Sequence, residues 1–364
     1  MDIRVQHSEL LEALELIGRI SVKHVTLPVL QCVRVEAKND SLILQATNIE
    51  VGLEIPLKAT VNEPGVIAVP AQTFLQSIQF INQKDITLRV EEQVLQIETE
   101  TTNTSIKLFP TDEFPNIRYV EGSTLPINTK TFSLGIKSVV FAASQTSIKP
   151  ELGSVYVQQK KEHSLTFVAT DSFRLMEKTV PQKSITLDQP IMIPNKNASE
   201  LARICDVVGG EAELIVNENQ CGIRFSNDVY FTTRLVTGSF PDYEQIIPKE
   251  YTTHSTLLKE DLLRTFKKTS IFLNKFRQVS VTTTDKNLTI ASQNAEVGHT
   301  TNTIAANSEG EELTLNFNQQ YIADPLSHIQ DDSIKMSFAG LGRAMVIKGV
   351  TDTTFRYLVM PMNK

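Results

Sequence analysis

The chain has 364 residues and a formal net charge of −7, from 35 Lys and Arg against 42 Asp and Glu, which excludes a uniformly basic coat for nucleic acid. Its 41% apolar and 21% charged residues are those of folded globular protein, and the length suggests about two to three domains. With no apolar run near the ~18 residues of a membrane span, no leader pattern in the opening MDIRVQHSELLEAL, and three scattered cysteines (Cys32, Cys205, Cys221), a reducing cytoplasmic setting without membrane contact or disulfides is expected.

The first predicted element is an amphipathic helix with Leu10, Leu14 and Ile17 on one face. Strand-like alternation follows at Val33/Val35 and at Leu42-Ile43-Leu44, which runs into Ala46-Thr47-Asn48. A second helix is predicted over 70–81, with Pro70 in its first turn, where the missing N–H costs nothing. Phe114-Pro115 closes the block. The same order then begins again. A helix carries Phe132, Ile136, Val139 and Val140, alternation returns at Val155/Val157 and Leu165-Thr166-Phe167, and Ala169-Thr170-Asp171 follows. A helix over 194–205 and Phe240-Pro241 complete the second copy. The third copy has Leu262, Leu263 and Phe266, then Val279/Val281, Leu288-Thr289-Ile290, Ala291-Ser292-Gln293 and a helix over 318–329.

The triplets lie 123 and 122 residues apart, and the second helices start 124 apart each time. Several features in one order at nearly one period indicate three homologous domains, taken as 1–122, 123–248 and 249–364. The fold class expected is α+β. A unit this long can own a core, unlike a solenoid repeat, and tandem copies suit a closed assembly, either of one chain or of two chains related by a two-fold axis.

Catalytic chemistry is not indicated. The six histidines are dispersed, and neither a metal-ligand spacing, a phosphate loop nor a nucleophile elbow occurs. Gly340-Leu341-Gly342-Arg343 reads as a turn between strands and Asp331-Asp332 as a solvated turn. No cofactor and no metal are expected. Basic residues at helical positions (Lys137, Arg203, Arg264, Lys267, Lys268) form either a solvated face or one turned to DNA, whereas Glu9, Glu12 and Glu15 make the opening helix acidic.

Specific runs then carry a family resemblance over the whole length. Thr26-Leu27-Pro28-Val29-Leu30, Ala46-Thr47-Asn48-Ile49-Glu50, Phe114-Pro115-Asn116 and Ala169-Thr170-Asp171 with Arg174-Leu175 occur in order. So do Ser239-Phe240-Pro241-Asp242-Tyr243, Lys275-Phe276-Arg277, Phe317-Asn318 with Tyr321, and the terminal Tyr357-Leu358-Val359-Met360-Pro361-Met362. This ordered set resembles the bacterial sliding clamps, the β subunit of DNA polymerase III. The resemblance implies three tandem DNA-clamp domains, each with two helices packed on antiparallel sheets, closing head to tail as a six-domain homodimeric ring around double-stranded DNA. It implies a non-catalytic processivity factor in replication and repair, opened by an ATP-driven loader. Partners would be the polymerase catalytic subunit, the clamp loader and other proteins carrying a Gln-x-x-Leu-Phe-like peptide. An alternative is a ring-shaped scaffold that recruits partners with little topological hold on DNA. Net negative charge suits a sliding ring, because extensive phosphate neutralisation makes binding tight and salt-sensitive.

Residue by residue, the resemblance implies a partner-peptide groove of Leu152, Thr170, Ser172, Phe173, Arg174, Leu175, Pro241, Ile246, Asn318, Tyr321, Leu358, Met360, Pro361 and Met362. Ser172-Phe173 replaces the family's usual Gly-His, and Gln245 stands where Arg is common. DNA-facing positions are His24, Thr146, Lys149, Lys196, Lys275 and Arg277, with Lys137 and Arg203 on the helices. The dimer seam is placed at Thr104 and Ile106 on one edge and Ile271-Phe272 on the facing domain.

Overall fold

The computed structural model describes residues 1–21, 26–100, 102–146, 148–183 and 186–362. Among the described residues six α-helices occur, one at or within each predicted helical stretch. They are α1 (His7–Ile17), α2 (Ala71–Gln79), α3 (Thr129–Val139), α4 (Asn195–Val208), α5 (Lys259–Thr269) and α6 (Gln319–Ala323). Helix α1 buries Leu10, Leu14 and Ile17, the face its spacing marks, along with Ala13 and Leu16. Helix α5 buries Leu262 and Phe266; Glu260 and Asp261 lie in its first turn and Lys267 and Lys268 in its last, complementing the helix dipole.

One helix departs from expectation. Instead of a helix over 318–329, α6 has five residues and gives way to a 3-10 segment, Asp324–His328. Pro325 is the cause. It has no N–H for the carbonyl of Tyr321, and its ring crowds that carbonyl in a continuous α-helix. The buried Tyr357 hydroxyl donates to the Tyr321 carbonyl instead, at 2.6 Å.

The chain folds as two compact units, Met1–Lys130 with Arg203–Leu235, and Thr131–Ala202 with Val236–Lys364. These units follow sheet continuity, so strands from different repeats share a sheet. In the first unit a 12-stranded sheet joins Val51–Glu63 to Tyr230–Arg234, with Leu53 opposite Phe231. Asn103–Lys107 is an edge strand of it. In the second unit a nine-stranded sheet joins Arg174–Pro181 to Phe355–Val359, with Leu175 opposite Leu358. A separate four-stranded sheet there has Gly298–Ala305 at one edge and Leu313–Asn318 at the other.

The repeated triplet has a physical explanation. Thr47 Oγ1 donates to the Val51 carbonyl (2.8 Å) and accepts from the Ile49 amide (3.0 Å), while Asn48 Oδ1 accepts from the amides of Glu50 and Val51. Thr170 and Asp171 make the same set one repeat later, to Arg174, Ser172 and Phe173. Each triplet is therefore a Thr-Asx hairpin turn, with the next residue left-handed: Ile49 at φ 79° and Ser172 at φ 78°. In the third copy Ser292 instead donates to the Thr269 carbonyl, and Asn294 supplies the turn acceptor for Glu296.

Cys32, Cys205 and Cys221 are free and buried. Desolvation pushes the Cys32 and Cys221 thiols up to about 12, so they stay protonated and unreactive near neutral pH. Gly340 and Gly342 have positive φ in the turn between strands Ser333–Phe338 and Met345–Gly349. Asp331 is the anchor of the neighbouring turn, accepting from the Thr351 hydroxyl and amide. No helix among the described residues is long and apolar enough to cross a membrane.

Candidate functional site

The second Thr-Asx turn and the end of the chain build one side of a cleft in the second unit. Beyond Val359 the chain leaves the sheet and is held from both sides: the Met360 amide donates to the Phe173 carbonyl (2.8 Å) and the Met362 amide to the Asn316 carbonyl (2.7 Å). Pro361, lying between them, has no N–H to satisfy. The turn leaves Phe173 61% exposed.

Arg174 locks that turn. Its Nε donates to Asp171 (2.9 Å), one Nη to the Phe141 carbonyl (2.8 Å) and the other to the Asp324 carboxylate. The guanidinium also stacks with Tyr321, 4.5 Å from its ring centroid, and lies 5.6 Å from that of Phe141. Phe141 stacks in turn on His328, whose imidazole burial pushes below its ordinary pKa.

The opposite side is a second built turn. Asn274 Oδ1 accepts from the amides of Phe276 (3.0 Å) and Gln278 (3.2 Å), and the Arg277 amide donates to the Asn274 carbonyl (2.9 Å). Arg277, at φ 53°, accepts through its carbonyl from the Gln319 amide at the start of α6. Its guanidinium donates to Gln320 Oε1 (3.0 Å), and Gln320 donates onward to Asp324. A polar chain thus runs from Arg277 through Gln320 and Asp324 to Arg174 and Asp171, tying the two turns together.

Between them lies a cleft of about 550 Å³ lined by Phe173, Lys275, Phe276, Arg277, Asn318, Tyr321, Met360, Pro361 and Met362. Its floor is apolar and adaptable, with two methionines. Asn318 Oδ1 caps α6 by accepting from the Gln320 amide at 2.9 Å. Burial pushes the Tyr321 hydroxyl up from its ordinary pKa, so it is a neutral donor.

Six residues of the implied groove line this cleft: Phe173, Asn318, Tyr321, Met360, Pro361 and Met362. Leu175 and Leu358 are fully buried in a cluster with Val168, Tyr243, Ala344 and Val346, and Met360 packs against that cluster. Thr170 and Arg174 hold the turn, and Ser172 is its exposed left-handed residue. Leu152 is half-buried, and Pro241 and Ile246 are exposed beside Tyr243; none of the three belongs to the lining of the 550 Å³ cleft.

Of the positions implied to face DNA, Lys275 and Arg277 lie on the cleft. Lys137, Thr146, Lys149 and Lys196 are exposed. Arg203 is half-buried and donates to the Leu16 carbonyl at 3.1 Å, near the end of α1. His24 lies outside the described residues. Of the seam positions, Thr104 is half-buried on the edge strand and Ile106 is 4% exposed, hence core; Ile271 is 66% exposed and Phe272 half-buried. Phe276 stands in a run that carries the family resemblance but has no site role in the sequence reading, and Gln320 and Asp324 have none either, although Asn274, two residues before Phe276, is a turn-forming residue type that marks the second wall.

Comparison with known proteins matches three family models in order. The DNA polymerase III beta subunit N-terminal domain matches residues 1–118, the central domain 126–242 and the C-terminal domain 244–363. The chain is 26% identical to the beta sliding clamp of Bacillus subtilis, covering 100% of this chain and 99% of that one. Among solved structures it resembles the DNA polymerase III subunit beta from Pseudomonas aeruginosa, with a TM-score of 0.93, 25% identity and full coverage of both chains. A sliding clamp from the same organism, bound to griselimycin, is equally similar, again at a TM-score of 0.93 and 25% identity over both whole chains.

Proposed function

The chain belongs to the DNA polymerase III beta subunit family, the sliding clamps, and from that premise we propose that it works as a head-to-tail homodimer closed around duplex DNA, recruiting partners through the cleft beside its C-terminal residues. It is a DNA sliding clamp, a non-catalytic processivity factor that tethers a polymerase. The observation that carries this is the full-length match of three clamp domains in order, not any single motif.

The proposed domains are 1–122, 123–248 and 249–364. Partner peptides of the Gln-x-x-Leu-Phe kind, from the polymerase, the loader and other proteins, place their apolar anchors over Met360 and Met362 and between Phe173 and Tyr321. The bound clamp from P. aeruginosa supports a ligand site in this fold. Lys137, Thr146, Lys149 and Lys196 supply the phosphate-directed charge and hydroxyl, and the protein acts in the cell interior. A chain of net charge −7 with a few exposed lysines holds DNA by enclosure, because a handful of phosphate contacts is lost readily in salt.

For the seam, the edge strand Asn103–Lys107 meets the segment carrying Ile271-Phe272 in a second copy, since exposed strand edges and exposed apolar side chains both call for cover. Ile271→Asp places a charge at this exposed residue. It is expected to shift the dimer to monomer in sedimentation velocity with unchanged circular dichroism, and to shorten products in primer extension with a cognate polymerase and loader. A dimer that persists with full processivity would place the seam elsewhere.

A further inference from the structure

A second cavity in the same unit, of about 470 Å³, shares no lining residue with the cleft. Three chain segments meet around it: the hairpin turn carrying Lys160 and Lys161, the stretch 244–249, and residues 353–356 at the start of strand Phe355–Val359. Its floor is Thr166, Glu177 and Thr179, from the paired strands Ser164–Thr170 and Arg174–Pro181. The cavity is positive in a chain of net charge −7: Lys160, Lys161, Lys249 and Arg356 line it against two carboxylates, Glu177 and Glu244.

Both carboxylates are already neutralised. Lys160 Nζ bridges Glu177 at 2.7 Å and Glu244 at 2.6 Å, and the Tyr243 hydroxyl donates to Glu177 at 2.7 Å. Glu177 is 7% exposed. Burial opposes its ionisation, but the bonds from Lys160 and Tyr243 prevail and hold its carboxyl below the ordinary pKa. The same bridge ties the hairpin turn and the 244–249 stretch to the floor, so the walls are set before a ligand enters.

The other three cations are left over. Arg356 reaches Glu177 only across 3.8 Å and makes no hydrogen bond among the described residues. Lys161 and Lys249 are exposed and form no ion pair among the described residues; their neighbours Glu162 and Glu250 are outside the lining. Hydroxyls complete the set. Thr166 and Thr179 share one bond of 3.0 Å, which leaves one hydroxyl proton of the pair to donate, and Thr353 stands at the rim.

We infer that this cavity binds a small phosphorylated anion of at least two negative charges, held by Arg356, Lys161, Lys249 and the threonine hydroxyls. Phosphoryl oxygens take charge-assisted bonds from a guanidinium fork and from ammonium groups. The surplus of two cations over carboxylates sets the charge of the ligand. A volume of about 470 Å³ falls in the range of small-molecule sites, about 300–1,000 Å³. Ile247 and Pro248 are the only apolar lining, too little for a hydrophobic ligand. The site is independent of the peptide cleft and of ring closure.

The test is isothermal titration calorimetry on the full-length protein at constant ionic strength and two temperatures, with pyrophosphate as probe. Orthophosphate and citrate are the comparison anions. One pyrophosphate per chain is expected, bound about fivefold or more tightly than either comparison anion, the scale of one further charged contact. Lys161→Gln/Lys249→Gln and Arg356→Gln should each weaken it by about five- to tenfold. Lys38→Gln/Lys286→Gln, which removes equal charge at exposed lysines outside the lining, should leave it unchanged. Circular dichroism verifies that the variants are folded. Adenosine triphosphate identifies the source: tighter binding than pyrophosphate supports a nucleotide, weaker binding a free diphosphate. Absence of heat at both temperatures would overturn the inference. So would citrate binding as tightly as pyrophosphate, full affinity in the cavity variants, or an equal loss in the Lys38/Lys286 variant, which would make the effect one of net charge.

Discussion

Ending the chain after Val359 is expected to weaken binding of a Gln-x-x-Leu-Phe peptide by at least about thirtyfold, because it removes three of the nine residues that line the cleft, Met360, Pro361 and Met362. The strand Phe355–Val359 keeps its pairing with Arg174–Pro181, so the sheet is retained. The amide bonds lost are those from Met360 to Phe173 and from Met362 to Asn316, both at the surface of the unit and outside the sheet pairing. Thermal unfolding should therefore change little while anisotropy titration shows the affinity gone. Full affinity in the truncated chain would move the peptide site away from this cleft.

Arg174→Ala is expected to cost about 3 kcal/mol of stability, the scale for breaking a largely buried ion pair and stranding its partners. The side chain of Arg174 is 11% exposed, and those of Asp171 and Asp324 are 14% and 20% exposed. Removing the guanidinium takes the charged donor from the Asp171 and Asp324 carboxylates, which keep only the neutral donors of the turn amides and Gln320, and takes its bond from the Phe141 carbonyl. It also empties the space stacked against Tyr321. Urea denaturation followed by circular dichroism measures the loss. Arg174→Lys should restore only part of it, since one ammonium cannot reach three separated acceptors and stack as well. Peptide affinity should fall in both variants, because the turn that presents Phe173 is released. A change under about 1 kcal/mol would mean that the network contributes no more than a surface pair.

How far the sequence carried the argument differs from residue to residue. Helices α1, α3 and α5 are legible because each carries one apolar face of a 3.6-residue pattern, and α2 and α4 because they recur at one spacing in the same order. The repeated Thr-Asn and Thr-Asp triplets were legible as a repeat but not as a turn. Their role depends on side chains bonding amides two and three residues on. The short α6 differs from the helix expected over 318–329: alignment with the earlier copies favours a full-length helix there, and Pro325 stops it. The role of Arg174 could not be read from spacing. Its acceptors are 3, 33 and 150 residues away, and folding alone brings them to one guanidinium. The same holds for Lys275 and Arg277. Family resemblance directs them to DNA, and only the Asn274 turn, with its bond to α6, reveals that they stand on the cleft.

Retention on DNA tests the central claim most directly. The full-length protein is loaded by a cognate loader onto a nicked circular plasmid, washed in high salt, and released by linearising the plasmid, with an established clamp on the same template as loading control. The account predicts that the protein stays through the wash and leaves only when the circle is cut, since enclosure does not depend on phosphate contacts. Loss in the salt wash while the control clamp is retained would contradict it, and would leave a partner-recruiting scaffold without topological hold on DNA.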